Sequence, residues 1–382
     1  MEQWPLLLLG GAMLLGFFGI GLISHKLSLP SVVLFVVIGI LLQGALPHEK
    51  VLYLVAEIGI VMLFFLLGLE FPLARMMEIV KKVWPAGLLD IVLNFGVGLA
   101  IAVFFGLNLI TAFLIGAVAY ASSSSITAKM LEEKRRLANP ETEFILALLI
   151  FEDLVAPILV SFLAGVYSGT QITAGFMLLL LFKIVGMTVG AVLIGWFGLR
   201  RLRDFVEEHL ERDFMPLFAV GIAFLYAGAA IALGLSEVLG AFLAGVMLSE
   251  TGRAKDLEQL ILPVRNLYLP FFFFWFGTTI SFGEGVPMVG LLIVLVGWSL
   301  LGKLLVGYYG GQVYGLTPKV ALRAGFSLGQ RGEFSAIIAA FAPPQWRVFC
   351  GIYILATASL GITLLTKAPG LSRLFMTSLK RA

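Results

Sequence analysis

Glu152 and Asp153 stand side by side inside an otherwise apolar run from Phe144 to Leu163. An ionised Asp at the centre of a membrane helix costs roughly 2.5 to 3.5 kcal/mol on insertion scales, so adjacent carboxylates persist where protein or water solvates them. The chemistry they offer is capture of a proton or a cation. Asp153 is expected to lead, because it begins the half-turn that runs into Pro157. Glu152 points about 100° away on a helix and is expected to touch the same cavity only in part. Lys303, in Gly297-Trp-Ser-Leu-Leu-Gly-Lys-Leu-Leu-Val-Gly307, lies too deep in its own apolar run to reach the interface by snorkelling. It needs a buried partner, and Asp153 is the expected one. A buried ammonium and carboxylate relieve each other's desolvation while adding little net stability. A monovalent cation at Asp153 can therefore displace Lys303, which then releases its proton, since burial disfavours the charged form of either group. Such a site suits exchange of a cation for a proton. The plain alternative is a static pair tying two helices.

Neutral oxygens are expected from Ala121-Ser-Ser-Ser-Ser-Ile-Thr127, where Ser122, Ser123, Ser124, Ser125 and Thr127 occupy positions that a membrane helix usually gives to aliphatics. Their hydroxyls can replace lost backbone hydrogen bonds, and freed carbonyls can ligate a dehydrated cation. Close helix packing by small residues is the competing explanation. In Gly329-Gln-Arg-Gly-Glu-Phe-Ser335, a helix-weakening Gly332 sits between Arg331 and Glu333, with Gln330 beside them. The two charges are placed to neutralise half-helix ends, a structural role more than a cation-binding one. Asp90 and Asn94 lie one turn apart, with Asn94 facing the site. Glu57 lies about one turn into its span and reads as a structural support.

These residues require helices that cross a bilayer. Of 382 residues, 60% are hydrophobic and 13% charged, too few to cover a soluble fold of this size, so the expectation is an all-α polytopic membrane protein. Runs long enough for about 30 Å of hydrocarbon predict thirteen spans, near 4–24, 29–46, 51–70, 84–106, 109–130, 143–167, 172–199, 214–233, 236–250, 260–281, 286–309, 319–341 and 347–366. Trp4 to Ser24 lacks the cleavage site of a secretory signal and is read as a retained span. Basic residues collect on one side of this threading: Lys26, Arg75, Lys81, Lys82, Lys129, Lys134 to Arg136, Arg200, Arg201, Arg203, Arg212, Arg253, Lys255, Arg265, Lys319, Arg323 and the C-terminal cluster. Only Lys50 and Arg347 fall on the other. The N-terminus is therefore expected outside and the C-terminus in the cytoplasm.

Shifted by 209 residues, Phe64-Phe65-x-x-Gly68 falls on Phe273-Phe274-x-x-Gly277, Asn94 on Lys303 and Ser122 on Arg331. Shifted by 206, Gly39 falls on Gly245. An offset crossing seven spans inverts topology, the plan of inverted-repeat transporters with interrupted helices at a midplane site. The expected organisation is one transmembrane domain over 1–370. It comprises a first repeat near 29–167, a linker helix near 172–199 and a second repeat near 236–366, followed by a short cytoplasmic tail at 371–382.

Ala56-Glu-Ile-Gly-Ile-Val-Met-Leu-Phe-Phe-Leu-Leu-Gly-Leu-Glu-Phe71, Ser122 to Lys129, Phe151-Glu-Asp153, Gly240-Ala-Phe-Leu-Ala-Gly245 and Gly329-Gln-Arg-Gly-Glu-Phe334 resemble, in that order, the membrane domain of Kef-type cation:proton antiporters. Ala138-Asn-Pro-Glu-Thr-Glu143 makes the chain most similar to the Kht-type potassium/proton antiporters. The resemblance implies a sodium/proton-antiporter-like fold with two interrupted crossing helices, a homodimer in the cell inner membrane, and elevator movement of a core domain. It implies cation binding at Asp153 with Lys303 as partner base, and K+ ahead of Na+ as the ion exchanged for H+. Glu152 departs from the Gln usual in glutathione-gated Kef members. No Gly-x-Gly-x-x-Gly fingerprint is present, so no nucleotide-binding regulatory domain is expected in this chain, and a separate cytoplasmic subunit could regulate it.

Other classes fit less well. Isolated midplane charges flanked by aliphatics leave no continuous polar path for a cation channel. An intramembrane enzyme would need a His-Glu-x-x-His pair, a Ser-His dyad or aspartates paired across spans, and none is convincing. A net charge of +3 gives no reason to expect nucleic acid, Cys350 is the sole cysteine, and no cofactor is expected.

Overall fold

A computed structural model describes residues 5–27, 31–43, 49–70, 73–167, 174–199, 214–280 and 285–379. Arg200, Arg201, Arg203, Arg212 and the end of the tail lie outside them. Every element among the described residues is helical: α1 Leu6–Leu27, α2 Ser31–Leu41, α3 Glu49–Leu69, α4 Leu73–Asp90, α5 Val97–Phe104, α6 Leu109–Tyr120, α7 Ser124–Glu133, α8 Pro140–Tyr167, α9 Ala174–Leu193, α10 Met215–Ala232, α11 Glu237–Ser249, α12 Ala254–Thr278, α13 Val289–Leu305, α14 Gly311–Tyr314, α15 Pro318–Gly325, α16 Glu333–Ala340 and α17 Pro344–Leu379. π-helical turns join α4 to α5 over Ile91–Gly96 and α13 to α14 over Val306–Gly310. Each of the thirteen expected spans has helix at its position. Nine helical runs among the described residues are long and apolar enough to cross a bilayer, and α2, part of α9 and α11 are shorter apolar helices. Outward Leu7, Leu15, Leu178 and Phe182 are more than two-thirds exposed, as side chains that meet lipid should be.

The chain forms two compact units. One holds residues 1–47, 79–156 and 276–382, the other residues 48–78 and 157–275. Neither is one sequence repeat, because each draws helices from both. The division within α8 falls at Pro157.

Glycine contacts within the units display the internal symmetry. In the second unit a Cβ on Gly245 of α11 would stand 2.8 Å from the Gly68 Cα of α3, closer than real Cβ contacts come. In the first unit a Cβ on Gly277 of α12 would stand 2.9 Å from the Gly39 Cα of α2. Gly68 corresponds to Gly277 and Gly39 to Gly245 under the sequence offsets. The two crossings are therefore one contact made twice, once in each sense, and only residues without side chains let the backbones approach this closely.

The first unit is broken where the site lies. α6 ends at Tyr120 and the chain turns extended at Ala121, with φ −78° and ψ 131°. Helix resumes at Ser124, with the Ser123 hydroxyl accepting from the Ile126 N–H as its cap. The partner break lies between α15 and α16. A clasp holds the α7–α8 turn to these half-helices: Arg136 donates to Glu141 Oε1 at 2.9 Å and to the Leu365 carbonyl at 2.9 Å, while Arg323 pairs with the other Glu141 oxygen.

Candidate ion-binding site

The two breaks lie against each other and satisfy each other's freed backbone groups. The Ser123 N–H donates to the Gln330 carbonyl at 2.9 Å. Ser122 Oγ donates to the Leu328 carbonyl at 2.8 Å, and Ser335 Oγ to the Val118 carbonyl at 2.7 Å. Arg331, fully buried, donates from Nε to the Ala119 carbonyl at 3.0 Å, and from Nη1 to the Leu328 carbonyl and Ser122 Oγ, both at 3.5 Å. Its guanidinium thus answers the negative end of α6. Glu333 does the reverse at the start of α7, accepting from the Ser125 N–H at 3.1 Å, from Ser123 Oγ at 2.5 Å and from Ser124 Oγ at 3.3 Å. Each charge meets the helix end of opposite sign. Gly332 is required by proximity, since a Cβ there would stand 2.6 Å from Ser123 Oγ.

The hydroxyls offered by the sequence as cation ligands are therefore engaged within the protein. Ser122, Ser123 and Ser124 bond across the breaks, and Ser125 Oγ lies 3.5 Å from Ser123 Oγ. Thr127 Oγ1 donates to the Ser123 carbonyl at 2.6 Å and accepts from Gln330 Nε2. The second Gln330 amide hydrogen goes to the Ser327 carbonyl at 2.9 Å. A carbonyl can only accept, so Nε2 must face Ser327, and the amide orientation follows from chemistry. Gln330 Oε1 is left buried with no hydrogen-bond donor.

Beside the crossing lies a second network. Lys303 Nζ is 2.8 Å from Asp90 Oδ1, 2.9 Å from Asp90 Oδ2 and 2.9 Å from Glu152 Oε1, and all three side chains are fully buried. Lys303 thus pairs with Asp90 and Glu152, where the sequence led us to expect Asp153. The reason is helical phase. Glu152 shares the face of α8 that meets the break, where its Oε2 accepts from the Ser122 N–H, and Asp153 beside it is buried, 3% exposed. Glu152 thus joins Lys303 to the helix break.

Asp90 is the residue that sequence reasoning undervalued. It ends α4, and Asn94 in the following π-turn donates to its Oδ1 at 2.7 Å. The Asn94 oxygen accepts from Arg331 Nη2 at 3.4 Å, linking the two networks. A carbonyl in the same turn, Leu93, accepts from Trp298 Nε1 at 2.7 Å. The legible signal was the Asp90–Asn94 spacing of one turn. Tyr120 is also present, its ring centroid 5.6 Å from Lys303 Nζ and its buried hydroxyl without a hydrogen-bond partner. Glu57 belongs to the other unit, where it and Glu237 line a mainly apolar cavity of about 340 Å³.

The sodium/hydrogen exchanger transmembrane family matches residues 12–368. This chain belongs to that family. As a family member it is a multi-pass cation/proton antiporter rather than an enzyme, and the fold agrees. The sodium proton antiporter MjNhaP1 of Methanocaldococcus jannaschii superposes with a TM-score of 0.70 over 95% of this exchanger and 96% of that chain, at 18% identity. Among relatives, the ammonium/H+ antiporter subunit AmhT of Alkalihalophilus pseudofirmus is 52% identical over 97% of this exchanger and 95% of its own length. The K+/H+ antiporter subunit KhtU of Bacillus subtilis is 28% identical over 89% and 87% respectively.

Proposed function

We propose that this exchanger carries a monovalent cation, K+ or NH4+, against H+, using the carboxylates of Glu152 and Asp153. One observation carries the proposal. Around the helix breaks the buried carboxylates are Asp90, Glu152, Asp153 and Glu333, and the buried cations are Lys303 and Arg331. Buried charge is costly when unmatched, so this excess of carboxylates favours uptake of a proton or a cation, and either relieves it. Gln330 Oε1 adds a neutral oxygen that lacks a donor. The serine segment holds the crossing in shape and contributes to the cation only through lone pairs left over from its internal bonds. Glu333 and Arg331 set the field of the half-helices.

The choice of ions rests on relatives of both kinds. The 52% identity to AmhT favours ammonium, and the resemblance to Kht-type systems and KhtU favours potassium. The two ions are similar in size, so one cavity of oxygens suits both, and Na+ ranks behind them. Alternating access is proposed to occur by elevator movement of the unit that bears the site, in a homodimer in the bacterial inner membrane. AmhT and KhtU are both described as subunits, which favours a separate regulatory partner.

The test is proteoliposomes with an imposed pH gradient, challenged with K+, NH4+, Na+ and Li+ and read against protein-free vesicles, because NH3 crosses bilayers unaided. Cation-driven collapse of the gradient in the parent, reduced at least about tenfold in Asp153→Asn, is expected. Equal activity in the mutant would remove Asp153 from the site, and cation flux without proton movement would favour a channel.

A further inference from the structure

The contacts of Lys303 are unequal. Asp90 presents both carboxylate oxygens, at 2.8 and 2.9 Å, and is itself braced by Asn94 at 2.7 Å. Glu152 presents one oxygen at 2.9 Å, while its other is occupied by the Ser122 N–H. Asp90 and Lys303 therefore form a complete bidentate pair without Glu152. We propose that Asp90 is the resident counter-ion of Lys303 and keeps it an ammonium throughout the cycle, so that Glu152 and Asp153 trade one proton for one monovalent cation with no net charge moved. This rests on the reading of the crossing as the exchange site.

The balance is simple. In the proton-loaded state the Glu152–Asp153 pair carries one O–H. As the cation enters, that bond breaks, the proton leaves to water on the open side, and the carboxylate oxygen takes up the cation. The N–H bonds of Lys303 are unchanged. One positive charge travels each way, and the cycle is electroneutral. Without Asp90 the lysine would depend on Glu152 alone. A cation arriving there would strand a buried ammonium, which is strongly disfavoured, so the lysine would shed its proton and a second proton would move with each cation.

The groups that face this pair are few. Lys303 meets Asp90 from α4, Glu152 from α8 and the Tyr120 ring from α6. Asp153 adjoins Glu152, and Arg331 approaches Asp90 through Asn94. Asp90 acts through the lysine and is a positioning residue. Its distinguishing readouts are the charge moved per turnover and the pH profile, neither of which a purely structural role would change.

The experiment pairs lumenal pH dyes with charge measurement on solid-supported membranes, using the full chain and KCl or NH4Cl. The intact protein is expected to exchange without current. Asp90→Asn should carry a current with each turnover and shift its half-maximal pH by about one unit, a tenfold change in proton occupancy. Asp90→Asn with Lys303→Gln removes both charges and should restore current-free exchange. A current that scales with exchange in the intact protein overturns the proposal. So does a single variant that keeps silent exchange with the parental pH profile, or a double variant no better than the single. Should Asp90→Asn fail to fold by size-exclusion chromatography, the intact-protein current and the double variant still decide. No cation response from the folded parent would sink the antiport reading, and this inference with it.

Discussion

Gln330 shows how much a single side chain in this protein is constrained by its neighbours. Both amide hydrogens are committed, to Thr127 and Ser327, so its oxygen faces a buried space with nothing donating to it. An acceptor so placed costs about 1–3 kcal/mol unless something charged or hydrogen-bearing meets it. Replacing Gln330 with Met should therefore raise the cation concentration for half-maximal exchange roughly tenfold, equivalent to about 1.4 kcal/mol, with proton coupling intact. Concentration series for K+ and NH4+ in vesicles would show this, and unchanged affinity would remove Gln330 from the cation's shell. Much of this neighbourhood is legible from residue types. Glu152, Asp153, Lys303 and Arg331 announce themselves as charges in apolar runs. What the sequence hides is the pairing. Asp90 follows Lys81, Lys82 and Trp84 and looks like part of an interfacial stretch, and the phase that turns Glu152 rather than Asp153 toward Lys303 depends on how α8 is rotated in the packed unit.

At the scale of elements, the two breaks were visible because serines at 122–125 and Gly332 between opposite charges are poor helix interior. The π-turns at Ile91–Gly96 and Val306–Gly310 were not, because Ile, Val, Leu and Tyr there look like any membrane helix. π-turns often mark functional sites, and these begin one residue after Asp90 and three after Lys303, rotating the helix beyond each. The glycine crossings make a firmer test of helix packing. A side chain on Gly245 would press on the Phe65 carbonyl, which belongs to the α3 backbone and cannot swing aside. Gly245→Ala is expected to cost about 1–3 kcal/mol through overpacking, and Gly277→Ala, which meets Val36 and Gly39, about the same. Thermal unfolding in detergent should fall by several degrees for both. A melting temperature equal to the parent's would show that the backbones are farther apart than described.

For the whole molecule, the distribution of Lys and Arg predicts a cytoplasmic C-terminus. A reporter that works only in the cytoplasm, fused after Ala382, should be active, and one that works only outside should be silent; the opposite result would invert the proposed orientation. The nine long apolar helical runs among the described residues and the paired glycine crossings could be read from hydropathy and from short glycine and phenylalanine matches. The division into compact units could not, since each unit is assembled from segments far apart in the chain.

The paired glycine crossings also bear on biogenesis. Gly68 in the first half waits for Gly245 in the second, and Gly39 waits for Gly277. As helices emerge in order from the ribosome, α2 and α3 enter the lipid with their glycine seams bare, and no early half can settle before its counterpart is made. Cellular quality control therefore meets a half-synthesised chain whose seams are open to strangers, and α11 and α12 close them in quick succession. Two fragments divided between α9 and α10 would be obligate companions, each degraded alone and rescued when both are expressed in the same cell.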